Sequence, residues 1–210
     1  MYNGGLMSPF ICSKLNINTD EIADKVFRLQ KYWISRSDDF GFYTLGRCAY
    51  LDGKTPAYKK EIKILNPIMR ESFGDTYDII IDYLSDQFKE PIKLNYNLAH
   101  PSFHIFVSSP ILLTHAGVWH QDYPHLTLGL GDKDPFTFTV GIKLPAGGGG
   151  IDYIENGVER YLAYEIGGII AHDGEVPHRI ASLKSYVPNE YRISLQGHLI
   201  RIDGVLNMFW

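Results

Sequence analysis

The stretch GVWHQDYPH, residues 117–125, carries two histidines and an aspartate within six positions. His120 and Asp122 are two apart, so in an extended chain their side chains leave the same face and converge on one point. An imidazole and a carboxylate held this way supply two ligands of a metal site. They fit equally well a surface turn whose aspartate bonds its own backbone. The chain has eight histidines, so a chance pair is expected and a third ligand is needed.

GGIIAHDGEVPHRI, residues 167–180, offers two candidates for it. Gly167-Gly168 begins an apolar strand, Asp173-Gly174 makes a turn, and Pro177-His178 opens the next strand. His178 is preferred over His172, which closes the preceding strand and suits a core or turn position. Two histidines and a carboxylate on one face of an octahedron leave three positions open, as in non-haem Fe(II) sites that handle oxygen. Further on, YRISLQGH puts Arg192 and Ser194 on one strand face. The arginine fork matches a carboxylate bidentately, and a serine hydroxyl adds a donor. An inward arginine on an apolar strand is costly without an anion, whereas an outward one would sit in an ordinary surface ion pair.

The elements that must position these residues fall into two textures. TDEIADKVFRLQKYWISR, residues 19–36, places Ile22, Val26, Leu29 and Trp33 at helical spacing, with Thr19 or Asp20 as the cap. GFYTLGRCAYL, residues 41–51, reads as a strand or hairpin piece. A second helical zone spans residues 57–90, interrupted at Gly74, with Asp75 capping a later part and Pro91 ending it. Beyond Pro91, short apolar segments recur between turn residues. FTFTVGIKL alternates strictly: Phe136, Phe138, Val140, Ile142 and Leu144 on one face, Thr137, Thr139, Gly141 and Lys143 on the other. Helices that precede the strands, instead of alternating with them, argue for helices packed on a β-sandwich or barrel and against a doubly wound sheet. One domain is expected over residues 1–210: mainly helical support to residue 95, then the β core from 96 to 210.

Composition narrows the function classes. Net charge is -4 and no Lys/Arg run exceeds two, so a nucleic-acid footprint is absent. No apolar run approaches the roughly 18 residues of a membrane span, and the N-terminus lacks the basic and apolar regions of a signal peptide. Only Cys12 and Cys48 are present, which suits a reducing, cytoplasmic setting. Gly147–Gly150 lacks the flanking residues of a phosphate cradle, and no G-x-S-x-G elbow occurs. His104 in SFHIFVS fits either a pocket wall or the core and receives no role. Trp119, Tyr123 and His125 either line a substrate pocket or pack around their loop.

The order H-x-D (His120, Asp122), HDGEVPH ending in His178, then R-x-S (Arg192, Ser194) resembles the Fe(II)/2-oxoglutarate-dependent oxygenase superfamily. FTFTVGIKLPAGGGGIDYI resembles its central strand pair, joined by a Gly-Gly loop. The resemblance spans residues 102–200, about half of the chain. It implies a double-stranded β-helix, or jelly roll, buttressed by N-terminal helices. It implies Fe(II) on His120, Asp122 and His178, 2-oxoglutarate as cosubstrate with its distal carboxylate on Arg192 and Ser194, and molecular oxygen. The activity implied is hydroxylation or a related C–H oxidation; the chain's length and charge favour a small metabolite, such as an amino acid or natural-product intermediate, over a nucleic acid, with a peptide or carrier-bound substrate also open. Family members that halogenate replace the carboxylate ligand with a small residue, so Asp122 points to hydroxylation. Two rivals stand beside this reading. One is a cupin-type metal enzyme using His115, His120, Asp122 or His178 without a keto acid. The other is a non-catalytic jelly-roll binding module. Only the oxygenase gives Arg192 a task.

Overall fold

The protein is described by a computed structural model covering residues 10–37, 39, 41–114, 117–130 and 135–210. Strand β1 (Phe10–Lys14) leads into helix α1 (Thr19–Arg28), then β2 (Trp33–Ser35), β3 (Phe42–Leu45), a one-turn helix α2 (Ala49–Asp52) and the long α3 (Pro56–Phe88). After β4 (Ile92–Leu94) and β5 (Ser102–Val107) comes a short helix α4 (Pro124–Leu128). The remainder is strand: β6 (Phe136–Lys143), β7 (Gly150–Glu155), β8 (Val158–Ala163), β9 (Gly168–Asp173), β10 (His178–Ile180), β11 (Tyr191–Ile202) and β12 (Val205–Phe209).

The strands make two sheets. The larger runs β1-β9-β6-β11-β5-β3-β2, with β12 on β11 and β4 on β12; the smaller runs β10-β7-β8. All pairs are antiparallel except β12 with β4. This is the expected jelly roll with N-terminal helices. The main core lies between the larger sheet and α1 and α3. Ile22 and Val26 of α1 and Met69, Phe73, Tyr77, Ile80 and Leu84 of α3 meet Phe138, Val140, Ile193 and Leu195 of the sheet. That helical stripe recurs every three to four residues, which is why α3 lies flat on the sheet.

The alternation of FTFTVGIKL holds from Phe136 to Ile142, while Leu144 packs with Ile151 and Tyr164 instead and Lys143 is exposed; over Thr137 and Thr139 the polar face does not meet water. Thr137 and Thr139 are 4% and 6% exposed, because that face looks toward the smaller sheet. The same holds for β11: Ile193, Leu195 and Leu199 join the core, while Arg192, Ser194 and His198 are buried on the other face. The space between the sheets therefore holds polar side chains beside an apolar cluster of Phe10, Ile151, Tyr164 and Ile170, and the candidate chemistry gathers there.

Several expected element boundaries differ. Helix α1 stops at Arg28 instead of running to residue 36, and Asn18, not Thr19 or Asp20, caps it by accepting from Glu21 N–H. Trp33 reaches the core from β2, paired opposite Leu45, with its indole donating to the Val26 carbonyl at the helix end. Gly74 does not interrupt the second zone: α3 is one helix of 33 residues, and Asp75 is an interior residue, not a cap. A glycine inside a helix costs only about 1 kcal/mol. The buried stripe on both sides of it outweighs that, and Arg70 donates to both the Gly74 carbonyl and Asp78. The end is set by Lys89 in the left-handed region, two residues before Pro91. The N-terminal part is less purely helical than expected, since β1, β2, β3 and β4 all extend the larger sheet.

Candidate metal centre

His120 and His178 are locked together by backbone: each N–H donates to the other's carbonyl at 2.9 Å. This isolated antiparallel bridge adds His120 to the edge of the smaller sheet beside β10. Asp122 N–H donates to the Gly174 carbonyl at 2.8 Å, tying the H-x-D segment to the turn before β10. Gly174 is needed there, because a Cβ would come within 2.7 Å of the Asp122 carbonyl oxygen. As a result one ligand-capable atom from each of His120, Asp122 and His178 lies within 4.8 Å of the others.

Each imidazole is oriented from behind. Nδ1 of His120 lies 2.8 Å from the Val118 carbonyl, and Nδ1 of His178 lies 2.8 Å from the Val176 carbonyl. A carbonyl only accepts, so both rings carry hydrogen on Nδ1 and turn Nε2 toward the carboxylate. Nε2 of His120 is 3.8 Å from Asp122 Oδ1, and Nε2 of His178 is 3.4 Å from Oδ2. Thr137 Oγ1 donates to Asp122 Oδ2 at 2.7 Å. Burial by itself would raise the Asp122 carboxyl, but the contact with His178, the nearby histidines and the Thr137 hydroxyl hold it far below the usual carboxylate range. Burial likewise pulls His178 down, and Asp122 overcomes it, so His178 is raised. A carboxylate kept ionised between two imidazoles is a ready cation site. Among the described residues, no other cluster of three such side chains is this close.

His172 does not join the group. Its ring packs edge-on against His178, with centroids 4.7 Å apart, and its Nδ1 lies 2.8 Å from the Asp173 carbonyl. It walls the site and does not complete it. His115 lies outside the described residues.

Arg192 and Ser194 point between the sheets, as their shared strand face requires. Arg192 is 3% exposed, with its guanidinium 4.7 Å above the Tyr164 ring and 5.3 Å from that of Phe106. Its Nε and Nη2 have no hydrogen-bond partner, and neither has the fully buried Ser194 Oγ. Burial pulls the arginine down from its ordinary value, and Tyr164 and Tyr161 offset this only in part. Buried charges are paired in stable proteins, and among the described residues Nε and Nη2 of this guanidinium remain free to donate.

Sequence reasoning passed over three further residues. His198 Nδ1 lies 3.0 Å from Thr137 Oγ1, which makes a chain Asp122–Thr137–His198. The signal was available, because His198 is six residues beyond Arg192 on the same strand and shares its face. Tyr164 and Tyr50 carried no local signal; they reach the inner face only through tertiary packing. Tyr50 Oη lies 2.6 Å from His104 Nε2, so His104 belongs to the inner face as well. Trp119 lies under the Arg179 guanidinium at 4.5 Å, and Tyr123 packs near His125 at the start of α4.

No family model matches this chain, and no curated protein does. Solved structures do. An N-substituted L-amino acid dioxygenase from Burkholderia ambifaria AMMD is similar at a TM-score of 0.58 and 13% identity, over 96% of this chain and 86% of that one. Its complex with alpha-KG aligns with the same TM-score at 12% identity and the same coverage. EvdO2 from Micromonospora carbonacea var. aurantiaca is similar at 0.52 and 12% identity, over 90% of this chain and 84% of that one. At such identities the likeness establishes a common jelly-roll fold. The donor set of this chain fits a divalent metal with open positions, and the orphaned guanidinium and hydroxyl fit a carboxylate.

Proposed function

We propose that this chain is an Fe(II)- and 2-oxoglutarate-dependent oxygenase that hydroxylates, or oxidises in a related way, a C–H bond of a small organic substrate. The observation that carries the reading is Arg192: a buried guanidinium whose Nε and Nη2 have no hydrogen-bond partner, with Ser194 beside it, on the inner face that also holds Thr137 and, through it, Asp122. A cupin-type enzyme without a keto acid leaves that arginine unexplained, and so does a passive binding module.

In this reading His120 and His178 bind Fe(II) through Nε2, and Asp122 through its carboxylate. Val118, Val176 and Thr137 hold those three groups in place. Arg192 and Ser194 take the distal carboxylate of 2-oxoglutarate. When bound, iron would let molecular oxygen act as the oxidant, with the keto acid and the substrate C–H bond each giving up two electrons; one oxygen atom would go to succinate, released with carbon dioxide, and the other to the product. The protein's part is geometry and exclusion of water. His178 is buried, so the deep side of the centre is dry, while His120 is about half exposed and leaves a side open for substrate. Asp122 occupies the position a halide would need, which favours hydroxylation. Amino-acid-sized compounds are the first substrates to try, given the likeness to the Burkholderia dioxygenase. Two unpaired cysteines fit the cytoplasm, and among the described residues no helix is long and apolar enough to cross a membrane.

The test is anaerobic reconstitution with Fe(II), titration with 2-oxoglutarate while the visible charge-transfer band is followed, then admission of oxygen and assay of succinate across a metabolite panel. Iron binding with no band and no succinate would leave the cupin-type reading. No metal binding at all would leave the binding module.

A further inference from the structure

Beside Arg192 and Ser194 the inner face carries a third buried donor without a partner, from a strand outside the R-x-S motif. His104 on β5 stands directly opposite Ser194 in the register, as Phe106 stands opposite Arg192. It is 7% exposed, and its Nδ1 has no hydrogen-bond partner. The ring is held by Phe42, edge-on at 5.1 Å, and by Trp210 at 5.6 Å.

The hydrogen on this imidazole can be placed. Nε2 is 2.6 Å from Tyr50 Oη, the length of a contact in which a hydroxyl donates. Burial pushes the Tyr50 phenol well above its ordinary value, so it keeps its proton. Burial, then Arg192, push His104 down to about 3, so the ring is neutral and carries one N–H. Tyr50 fills the Nε2 lone pair, and the N–H is therefore on Nδ1. Tyr50 itself is fixed because α2 is stapled by Asp52, which accepts from Arg36 at 2.6 Å, Arg47 at 2.9 Å and the Cys48 N–H at 3.0 Å.

The orphaned atoms at this end of the inner face are thus all donors: Arg192 Nε and Nη2, Ser194 Oγ and His104 Nδ1. An ionised carboxylate offers about four lone-pair sites. Two bonds from the arginine, one from the serine and one from the histidine would fill them. His198 makes the contrast. Thr137 donates to Asp122, so its oxygen must accept from His198 Nδ1, which leaves His198 Nε2 as a bare acceptor unsuited to an anion.

We propose that His104 is the third donor to the distal carboxylate of 2-oxoglutarate, and that Tyr50 is a positioning residue that keeps its N–H on Nδ1. This rests on the oxygenase reading. It gives the N-terminal region a part in the site, because the tautomer on β5 is set from α2.

The experiment titrates the anaerobic Fe(II) protein with 2-oxoglutarate and with 2-oxobutyrate, which has the keto-acid end but no distal carboxylate, following the charge-transfer band. His104→Phe keeps the ring and removes the donor. It should weaken 2-oxoglutarate about tenfold and leave 2-oxobutyrate within about twofold. His104→Asn, whose amide N–H reaches the Nδ1 position, should recover most of the loss. Tyr50→Phe, nearly isosteric, should weaken 2-oxoglutarate alone by about threefold, and it carries the test if His104→Phe fails to fold. Equal weakening of both acids, or unchanged 2-oxoglutarate binding in His104→Phe and Tyr50→Phe when the wild type shows the band, overturns this inference and leaves the oxygenase reading intact. An iron-loaded wild type with no band for either acid overturns both.

Discussion

Replacing Arg192 with methionine should change stability in opposite directions with and without cosubstrate. In the ligand-free protein the guanidinium is 3% exposed and lacks partners at Nε and Nη2. Exchanging buried charge for apolar volume typically gains about 1–4 kcal/mol. The two ring contacts, to Tyr164 and Phe106, would be lost, at about 0.5–1 kcal/mol each. From the middles of these ranges the net is a gain of about 1 kcal/mol, or about 2–4 °C in Tm for a chain of this size. With the keto acid the sign reverses. A charge-assisted hydrogen bond contributes about 1.5–3 kcal/mol, so its loss should raise the Kd for 2-oxoglutarate about 10- to 100-fold. At one hundred times the wild-type Kd, ligand stabilises wild type by about 2.7 kcal/mol. At the same concentration the variant should gain only about 0.4–1.4 kcal/mol. Arg192→Lys should fall between, since the charge survives and the fork does not. The assay pairs thermal melts, with and without 2-oxoglutarate, with the anaerobic band titration. An unchanged titration in Arg192→Met with iron bound normally would refute the anchor. So would a ligand-free variant about 3–5 kcal/mol less stable, the signature of a broken buried pair.

Alanine at His120 or His178 should abolish bound Fe(II) or Co(II), read by elemental analysis, with the circular dichroism spectrum retained because the sheets are held by other contacts. Gly174→Ala touches no ligand, but its Cβ would press on the Asp122 carbonyl at 2.7 Å; metal affinity should fall about 10- to 100-fold in a competition titration. Turnover in chloride or bromide should give a product heavier by oxygen, and a halogenated main product would refute the role given to Asp122. Asp52→Asn tests the staple on α2. Burial favours the protonated Asp52, but Arg36, the Cys48 N–H and Arg47 hold its carboxyl below the ordinary value. A lowered carboxyl contributes stability above its unfolded pKa of about 3.9, lost as pH falls through the folded value. The variant should therefore be about 3–5 kcal/mol less stable at pH 7 and lose less than wild type on acidification, as measured by melts between about pH 7 and 2.

Much of the fold was legible because strand and helix periods are local. Alternation in residues 136–142 follows from the pleat alone, and the apolar stripe of α3 from the helical repeat. Boundaries were less legible where a distant partner decides them. Trp33 continues the helical spacing of α1, yet β3 takes it into a strand. Gly74 looks like a break, yet the sheet beneath α3 keeps the helix whole.

The sequence by itself determined which side chains share a face: His120 with Asp122, and Arg192 with Ser194 and His198. It also determined their types, and hence the kind of ion or anion each group suits. What only the tertiary structure decided is which faces meet. His178 and not His172 stands beside Asp122, because the turn at Gly174 and the paired bonds between His120 and His178 bring that strand start to the H-x-D segment. His104 became a donor site only because α2, more than fifty residues earlier in the chain, delivers Tyr50 to its Nε2. Local spacing fixes direction within an element; contact between elements depends on the long-range closure of the sandwich, which no short stretch encodes.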